Sequence, residues 1–274
     1  SNEPEIITQI GRVPIYGNMI SVAKSKNTSF ICRFSGDSFY EYKVRNGWQK
    51  IPTYIVRNII GRIPLQTGTS FIVMGPTGKR RLIKRGVPPE KVKILPPPID
   101  AARFNTQVET DLLDIPSNRS IALFVGRRTR MKGIGVLERT IPEIIDRRSD
   151  IQFVLVGGDD GRPNIPKKYK EYITIVGEVK PELMPSVYEQ ADLLIHPSLI
   201  EGLSRAVLEA ILSEIPVVVR NVGDLDYATS NTFDTEDEFI DMVCNFEDLP
   251  TEDASKFTVR KLQREYINYF KSVI

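Results

Sequence analysis

The residues with the clearest capacity for chemistry lie between Ile195 and Ala210. Pro197-Ser198-Leu199-Ile200-Glu201-Gly202-Leu203-Ser204 separates an apolar stretch ending at His196 from Arg205-Ala206-Val207-Leu208-Glu209-Ala210, and Pro216-Val217-Val218-Val219 follows. The pattern reads as a buried strand, a Ser/Gly turn and a helix start carrying two carboxylates, Glu201 and Glu209. A helix start presents backbone N–H groups with no partner inside the helix. Entered from a parallel strand, it makes an anion site at the carboxyl edge of an α/β sheet. With the helix starting near Leu203, the amides of Gly202, Leu203 and Ser204 are the free donors, and the macrodipole adds about half a positive charge. At the helical rise, Glu209 lies roughly 10 Å beyond Glu201. That exceeds the ~5 Å separation of a retaining-hydrolase carboxylate pair, so the two acids are read as gripping different parts of one extended ligand.

A second constellation is Gly126-Arg127-Arg128-Thr129-Arg130-Met131-Lys132-Gly133, which follows directly on the apolar run Ile121–Val125. Arg127 offers a planar two-pronged donor and Lys132 a compact point charge, a combination suited to two linked phosphates. A solvated basic turn is the plainer alternative. It loses weight because this turn and Glu201 are both expected at the carboxyl edge of one sheet.

The elements that must position these residues alternate regularly. Downstream, strands are predicted at 121–125, 151–156, 173–176, 192–196 and 217–219, and helices at 134–148, 181–190 and 204–213. Gly157-Gly158-Asp159-Asp160-Gly161 closes the second strand. Continuous apolar strands separated by helices indicate a parallel sheet covered on both faces. Upstream, strands are expected at 6–10, 28–34, 70–74 and 91–95, with a helix at 48–60 and a short basic helix at 77–85 stopped by Gly86. The fold class is therefore α/β with two Rossmann-like domains. The reading places an incomplete N-terminal domain at 1–100, a linker at 101–118 begun by Pro96-Pro97-Pro98, and a C-terminal domain at 119–250. A helix over 251–274, with Phe257, Leu262, Tyr266, Ile267, Tyr269, Phe270 and Ile274 near one face, is expected to cross back to the first domain.

Composition narrows the function classes. The 274 residues carry 37 Lys and Arg against 35 Asp and Glu, which gives no reason to expect nucleic acid as partner. Cys32 and Cys244 are read as two buried, reduced thiols. No run approaches the ~20 apolar residues of a membrane span, and no signal sequence is visible, so a cytoplasmic protein is expected. Lys79-Arg80-Arg81-Leu82-Ile83-Lys84-Arg85 reads first as a solvated helix face, with attraction to an anionic membrane surface or a lipid-phosphate acceptor as the alternative. His196, the sole histidine, is assigned to packing and hydrogen bonding, and Asp224-Leu225-Asp226 to a polar loop. No metal site is expected.

Gly126-Arg127 with Lys132-Gly133, Val154-Leu155-Val156-Gly157, Ala191-Asp192-Leu193, Pro197-Ser198, Glu201-Gly202, Glu209-Ala210 and Pro216-Val217-Val218 together resemble the C-terminal domain of GT-B-fold retaining glycosyltransferases of the family 4 type, the glycosyl transferases group 1. Lys93-Ile94-Leu95-Pro96-Pro97-Pro98-Ile99-Asp100 resembles that family's interdomain segment. The resemblance implies hexosyl transfer from a UDP-, GDP- or ADP-sugar, with retention of anomeric configuration and no cofactor or metal. The donor is expected between the domains and mainly on the second. Arg127, Lys132 and Glu201 are then the catalytic residues. The two cations hold the diphosphate and stabilise its charge as it leaves, and Glu201 contacts the donor sugar. Gly126, Gly202, Leu203, Ser204, Glu209 and Val179 are donor-binding, with Glu209 on the ribose and Val179 in the loop that discriminates the base.

The acceptor is left open among a polysaccharide, a lipid-linked sugar and a small molecule, with peripheral association at the inner face of a membrane as a further expectation. The chain departs from the family pattern at Ser213-Glu214-Ile215, where a small residue and glycine are usual, and at Val222-Gly223-Asp224 and Tyr227. The family's first strand and glycine-rich loop have no counterpart, a shortfall of roughly 80 residues from a whole domain. The alternative function is a non-catalytic nucleotide-sugar-binding or partner subunit. A GT-B-fold epimerase or phosphorylase is more remote.

Overall fold

The computed structural model describes residues 6–10, 29–36, 38–104, 113, 115–116, 118–158 and 163–273. Thr28, residues 105–112, 114 and 117 of the expected linker, Asp159–Gly161 of the glycine-rich turn and Ile274 lie outside them. The chain forms two compact units. One comprises 1–98, Ile200–Leu203 and Val259–Ile274, the other Ile99–Leu199 and Ser204–Thr258.

The first unit holds a parallel sheet of β1 (Ile6–Ile10), β2 (Ser29–Arg33), β3 (Ser70–Val73) and β4 (Val92–Ile94), in that order. Phe30, Cys32, Phe71, Val73 and Val92 form its core with Leu82 and Val87. Between β2 and β3 the chain is helical in pieces: a 3-10 turn at Gly47–Gln49, an α turn at Lys50–Tyr54, a π turn at Ile55–Ile60 and a final α segment at Arg62–Thr67. Helix α1 (Pro76–Ile83) joins β3 to β4, and Gly86 closes the turn after it at φ 90°. A glycine is favoured there because a Cβ is disfavoured at that angle.

The second unit contains β5 (Ser120–Val125), β6 (Ile151–Val156), β7 (Ile173–Gly177), β8 (Leu193–His196), β9 (Val217–Arg220) and β10 (Thr232–Phe233), all parallel and ordered β10-β9-β8-β5-β6-β7. This is the doubly wound order, which reverses between β5 and β8. Every residue of β6 is buried, as a central parallel strand covered on both faces requires. Connecting helices are α2 (Ile134–Arg147), α3 (Met184–Glu189), α4 (Arg205–Leu212) and α5 (Glu236–Cys244). Helix α2 buries Val136, Leu137, Thr140, Ile141, Ile144 and Ile145, a stripe with helical period. At the amino edge, the Asp192 carboxylate accepts the Ile121 N–H at 2.7 Å and Asp192 donates its own N–H to the Ile121 carbonyl at 3.0 Å, which fixes β8 against β5.

The C-terminal helix is shorter than the sequence reading. Helix α6 runs over Val259–Val273 and groups with the first unit, whereas Thr251–Thr258 is not α-helical. Asp253 caps the Ser255 N–H at 2.7 Å, Phe257 is fully buried, and Thr258 pairs with Ile99 in a parallel bridge. Phe257 fitted the apolar period but anchors the segment that leads into the helix. Ile267, expected on the packed face, is exposed, while Leu262 and Tyr269 are buried. Tyr269 donates its hydroxyl to Ser70 Oγ at 2.7 Å, and Tyr266 donates to the Pro96 carbonyl at 2.7 Å.

Candidate functional site

The order reversal between β5 and β8 puts two loops side by side at the carboxyl edge of the second unit's sheet, 126–133 after β5 and 197–199 after β8. The Leu199 N–H donates to the Met131 carbonyl at 2.9 Å, tying one loop to the other. Gly133 sits at φ 84°, and a Cβ there would lie 2.1 Å from the Pro197 carbonyl oxygen. Only glycine fits both the angle and the approach.

The same crowding recurs one strand over. A Cβ at Gly157, φ 135°, would lie 2.2 Å from the Gly126 carbonyl oxygen, and Gly157 donates its N–H to the Gly177 carbonyl at 2.6 Å. The ends of β5, β6 and β7 thus meet through glycine backbone, aided by a register shift between β6 and β7 at Leu155/Val156.

On this frame Lys132 is half-buried, with its Cδ 3.9 Å from the Cβ position of Gly126, and Arg127 is exposed. The Cβ position of Gly158 is 3.9 Å from Arg127 Cγ and 2.9 Å from Glu178 Oε1. Arg127 therefore neighbours the loop that carries Val179, itself half-buried. The sequence reading passed over Arg128. Its side chain is 3% exposed and donates to the Gly157 carbonyl at 2.9 Å, bracing the loop from beneath. Beside Arg127 and Arg130, nothing in local pattern marked which arginine turns inward.

Helix α4 starts later than expected. Ser204, with extended φ −75° and ψ 127°, is the N-cap, and the first helical residue is Arg205. The donors without intrahelical partners are therefore those of Arg205, Ala206 and Val207 together with the cap. Those of Gly202 and Leu203 are not among them. Glu201, Gly202 and Leu203 group with the first unit, where a Cβ on Gly202 would lie 2.5 Å from the Ser35 carbonyl oxygen. What approaches Gly202 closely is backbone. Arg127, Lys132, Ser204 and Glu209 all belong to the second unit.

Glu209 is half-buried within the helix and accepts the Tyr188 hydroxyl at 3.1 Å. Burial raises the pKa of its carboxyl, opposed by the Tyr188 hydrogen bond and by the charges of Arg205 and Arg103. Burial, with the nearby Glu209 charge, holds the Tyr188 hydroxyl well above its ordinary pKa. Arg103, in the segment read as linker, donates to the Pro181 carbonyl, and Phe104 packs on Tyr188 at 6.0 Å between ring centroids. Neither Tyr188 nor Arg103 was singled out in sequence, because Tyr188 reads as an apolar core position and Arg103 as loop.

His196 is fully buried and shares a 3.2 Å hydrogen bond with Ser198 Oγ. Asp224 is buried and Asp226 exposed, so the pair does not converge. No cluster of three or more metal-ligating side chains occurs among the described residues. Both cysteines are buried free thiols, and burial pushes Cys32 up to about 12.

Residues 119–246 match the family described as Glycosyl transferases group 1. Over 157 residues the chain is 30% identical to D-inositol 3-phosphate glycosyltransferase of Corynebacterium diphtheriae, a match covering 51% of this chain and 37% of that protein. The chain thus spans well under half of that relative's length. Among solved structures, Anabaena Alr3699/HepE in complex with UDP superposes with a TM-score of 0.71 at 15% identity, covering 98% of this chain and 79% of that one. Sucrose-phosphate synthase from Thermosynechococcus elongatus gives 0.75 at 17%, covering 98% and 73%. The fold is that of the GT-B glycosyltransferases, with two Rossmann-like sheets.

Proposed function

We propose that this chain binds a nucleotide-diphosphate sugar on its second unit and serves a retaining GT-B glycosyltransferase of the family 4 type, moving a hexosyl group to an acceptor hydroxyl. The observation that carries the reading is the tie between the Gly126–Gly133 loop and the loop after β8, at the point where the strand order reverses. That arrangement presents Arg127 and Lys132 at the edge where α/β sheets hold phosphates. The UDP bound to Alr3699/HepE supports the choice of donor class.

In this reading Arg127 and Lys132 hold the two phosphates and stabilise the negative charge that grows on the departing oxygen. The α4 amides from Ser204 to Val207 replace the Gly202–Ser204 set as the helix-start contribution. Glu209 accepts from the ribose hydroxyls, its carboxylate oriented by Tyr188. Glu201 contacts the donor sugar, and Val179 borders the base. Retention follows from front-face transfer. The bond from the anomeric carbon to the phosphate oxygen breaks, the acceptor oxygen bonds on the same face, and the acceptor proton passes to the leaving phosphate. No metal enters any step. The acceptor of this reading is a polysaccharide, a lipid-linked sugar or a small molecule, met in the cytoplasm or at the inner face of a membrane.

Calorimetry with UDP-, GDP- and ADP-glucose tests the reading. One of them should bind, and Lys132→Ala should weaken that binding at least ten-fold with the melting temperature unchanged. Absence of binding by all three would sink the donor site. Binding with neither hydrolysis nor transfer to any acceptor would favour the non-catalytic subunit.

A further inference from the structure

The segment read as linker reaches the residues around Glu209, all within the second unit. It begins with the Ile99 N–H donating to the Phe257 carbonyl at 2.9 Å, and Asp100 Oδ1 accepts the Ala102 N–H at 3.2 Å. The 3-10 turn Ala101–Phe104 that follows presents Arg103 and Phe104, both half-buried. Arg103 donates to the Pro181 carbonyl, which also accepts the Met184 N–H where α3 begins. Pro181 ends the loop that leaves β7 at Gly177 and carries Val179. One guanidinium is thus attached where that loop turns into the helix of Tyr188.

Phe104 packs on Tyr188 at 6.0 Å between ring centroids, tilted by 49°. Tyr188 is fully buried, and its hydroxyl donates to Glu209 at 3.1 Å. A buried phenol directs the carboxylate it bonds only as well as its own ring is held, and Phe104 is part of what holds it. Charge acts in the same direction. The ionisable groups acting on the Glu209 carboxyl are Tyr188 on α3, Arg205 one turn back on α4, and Arg103. Both arginines favour the carboxylate, against the burial that disfavours it. Only the ionised group offers all its lone pairs to hydroxyl donors, since a protonated one is itself a donor.

We infer that Arg103 and Phe104 are positioning residues for the nucleotide: Phe104 seats the Tyr188 ring that aims Glu209 at the ribose, and Arg103 locks the loop bordering the base to the helix carrying that ring. The inference rests on the reading of Glu209 as the ribose acceptor and of Val179 as a neighbour of the base. Ribose and base are then held by one connected assembly, and the preference for a hydroxylated ribose is set from the segment between the domains.

The test is calorimetry on the intact chain with UDP, GDP and ADP and the 2′,3′-dideoxy form of each, using the parent protein, Arg103→Gln, Phe104→Leu and Glu209→Ala. The parent should prefer the hydroxylated form of its nucleotide by about ten-fold or more, and Glu209→Ala should bring the two forms close to parity. Phe104→Leu and Arg103→Gln should each cut the preference roughly three-fold or more, the scale of one weakened hydrogen bond. The dideoxy form has no hydroxyls for Glu209 to lose, so its affinity is the internal control. Arg103→Gln should also move the Glu209 carboxyl titration, followed by carbon-13 NMR, to higher pH, because one of the charges favouring ionisation is gone. Arg103→Lys should return it toward the parent value.

A preference lost in Glu209→Ala but intact in Arg103→Gln and Phe104→Leu overturns this inference and leaves the donor reading standing. Equal weakening of both forms in those two variants also overturns it, as a merely structural role. An unmoved Glu209 titration in Arg103→Gln removes the part given to the Arg103 charge, whatever the nucleotide data show. A preference that survives Glu209→Ala, or no binding by any of the three nucleotides, overturns the donor reading itself and this inference with it.

Discussion

Glu209 shows how a single side chain acquires its chemistry from a neighbour distant in sequence. Its carboxylate is held by Tyr188, a residue otherwise buried in apolar surroundings. Tyr188→Phe keeps the ring and removes the donor, leaving a half-buried carboxylate less satisfied, at a cost of about 1–3 kcal/mol. Urea melts should show that loss. The pH dependence follows from the raised pKa. Between the ordinary carboxylate value and the raised one, the folded chain binds more protons at this position than the unfolded chain. The contribution of Glu209 to stability therefore falls as pH rises through that window. Glu209→Gln should flatten that slope in pH-resolved melts, and a slope unchanged by the substitution would contradict the assignment. Arg127, Lys132 and Glu209 could be picked out by type and spacing. Arg128 and Tyr188 could not, because their roles depend on which way a side chain turns.

At the scale of elements, the departure from the family pattern at Ser213-Glu214-Ile215 has a structural meaning. Glu214, at φ 60°, is the only non-glycine residue with positive φ among those described. It donates its N–H to the Ile211 carbonyl at 3.0 Å, and Ile215 donates to the Ala210 carbonyl at 3.3 Å. These are the two bonds of a Schellman cap, and Glu214 occupies the left-handed position where glycine carries no Cβ penalty. Glu214→Gly should raise stability by about 1 kcal/mol in denaturant melts, with donor affinity unchanged. Gly133→Ala should do the reverse, since the added Cβ meets the Pro197 carbonyl oxygen at 2.1 Å. Loss of several kcal/mol, or no folded protein, is expected. The strand and helix order was legible because apolar period and glycine stops are local signals. The start of α4 was misplaced by about two residues, since Leu203 fits the helical apolar pattern while its backbone does not join the helix.

For the whole molecule, each unit has its own sheet and core, and the first is completed by α6 from the far end of the chain. Tyr269 to Ser70, Tyr266 to Pro96, Arg33 to the Tyr266 hydroxyl, and Ser29 to the Val273 carbonyl are among its bonds to that unit. Ending the chain after Thr258 should lower the melting transition of the first unit and leave that of the second near its original position. Calorimetry should resolve the two. A single transition that shifts as a whole would refute independent units.

The sequence by itself determined the α/β class, the two parallel sheets and the loops at 126–133 and 197–204, because strand period, helix period and glycine turns are written in neighbouring residues. The tertiary structure decided what those loops touch: Gly133 against Pro197, Gly157 against Gly126, Tyr188 on Glu209. It also decided that Trp48, Ile51 and Ile59 are left exposed on the surface of the first unit. An apolar residue at helical spacing looks the same in sequence whether its face meets a core or solvent, and that difference arises only when the chain has chosen its partners.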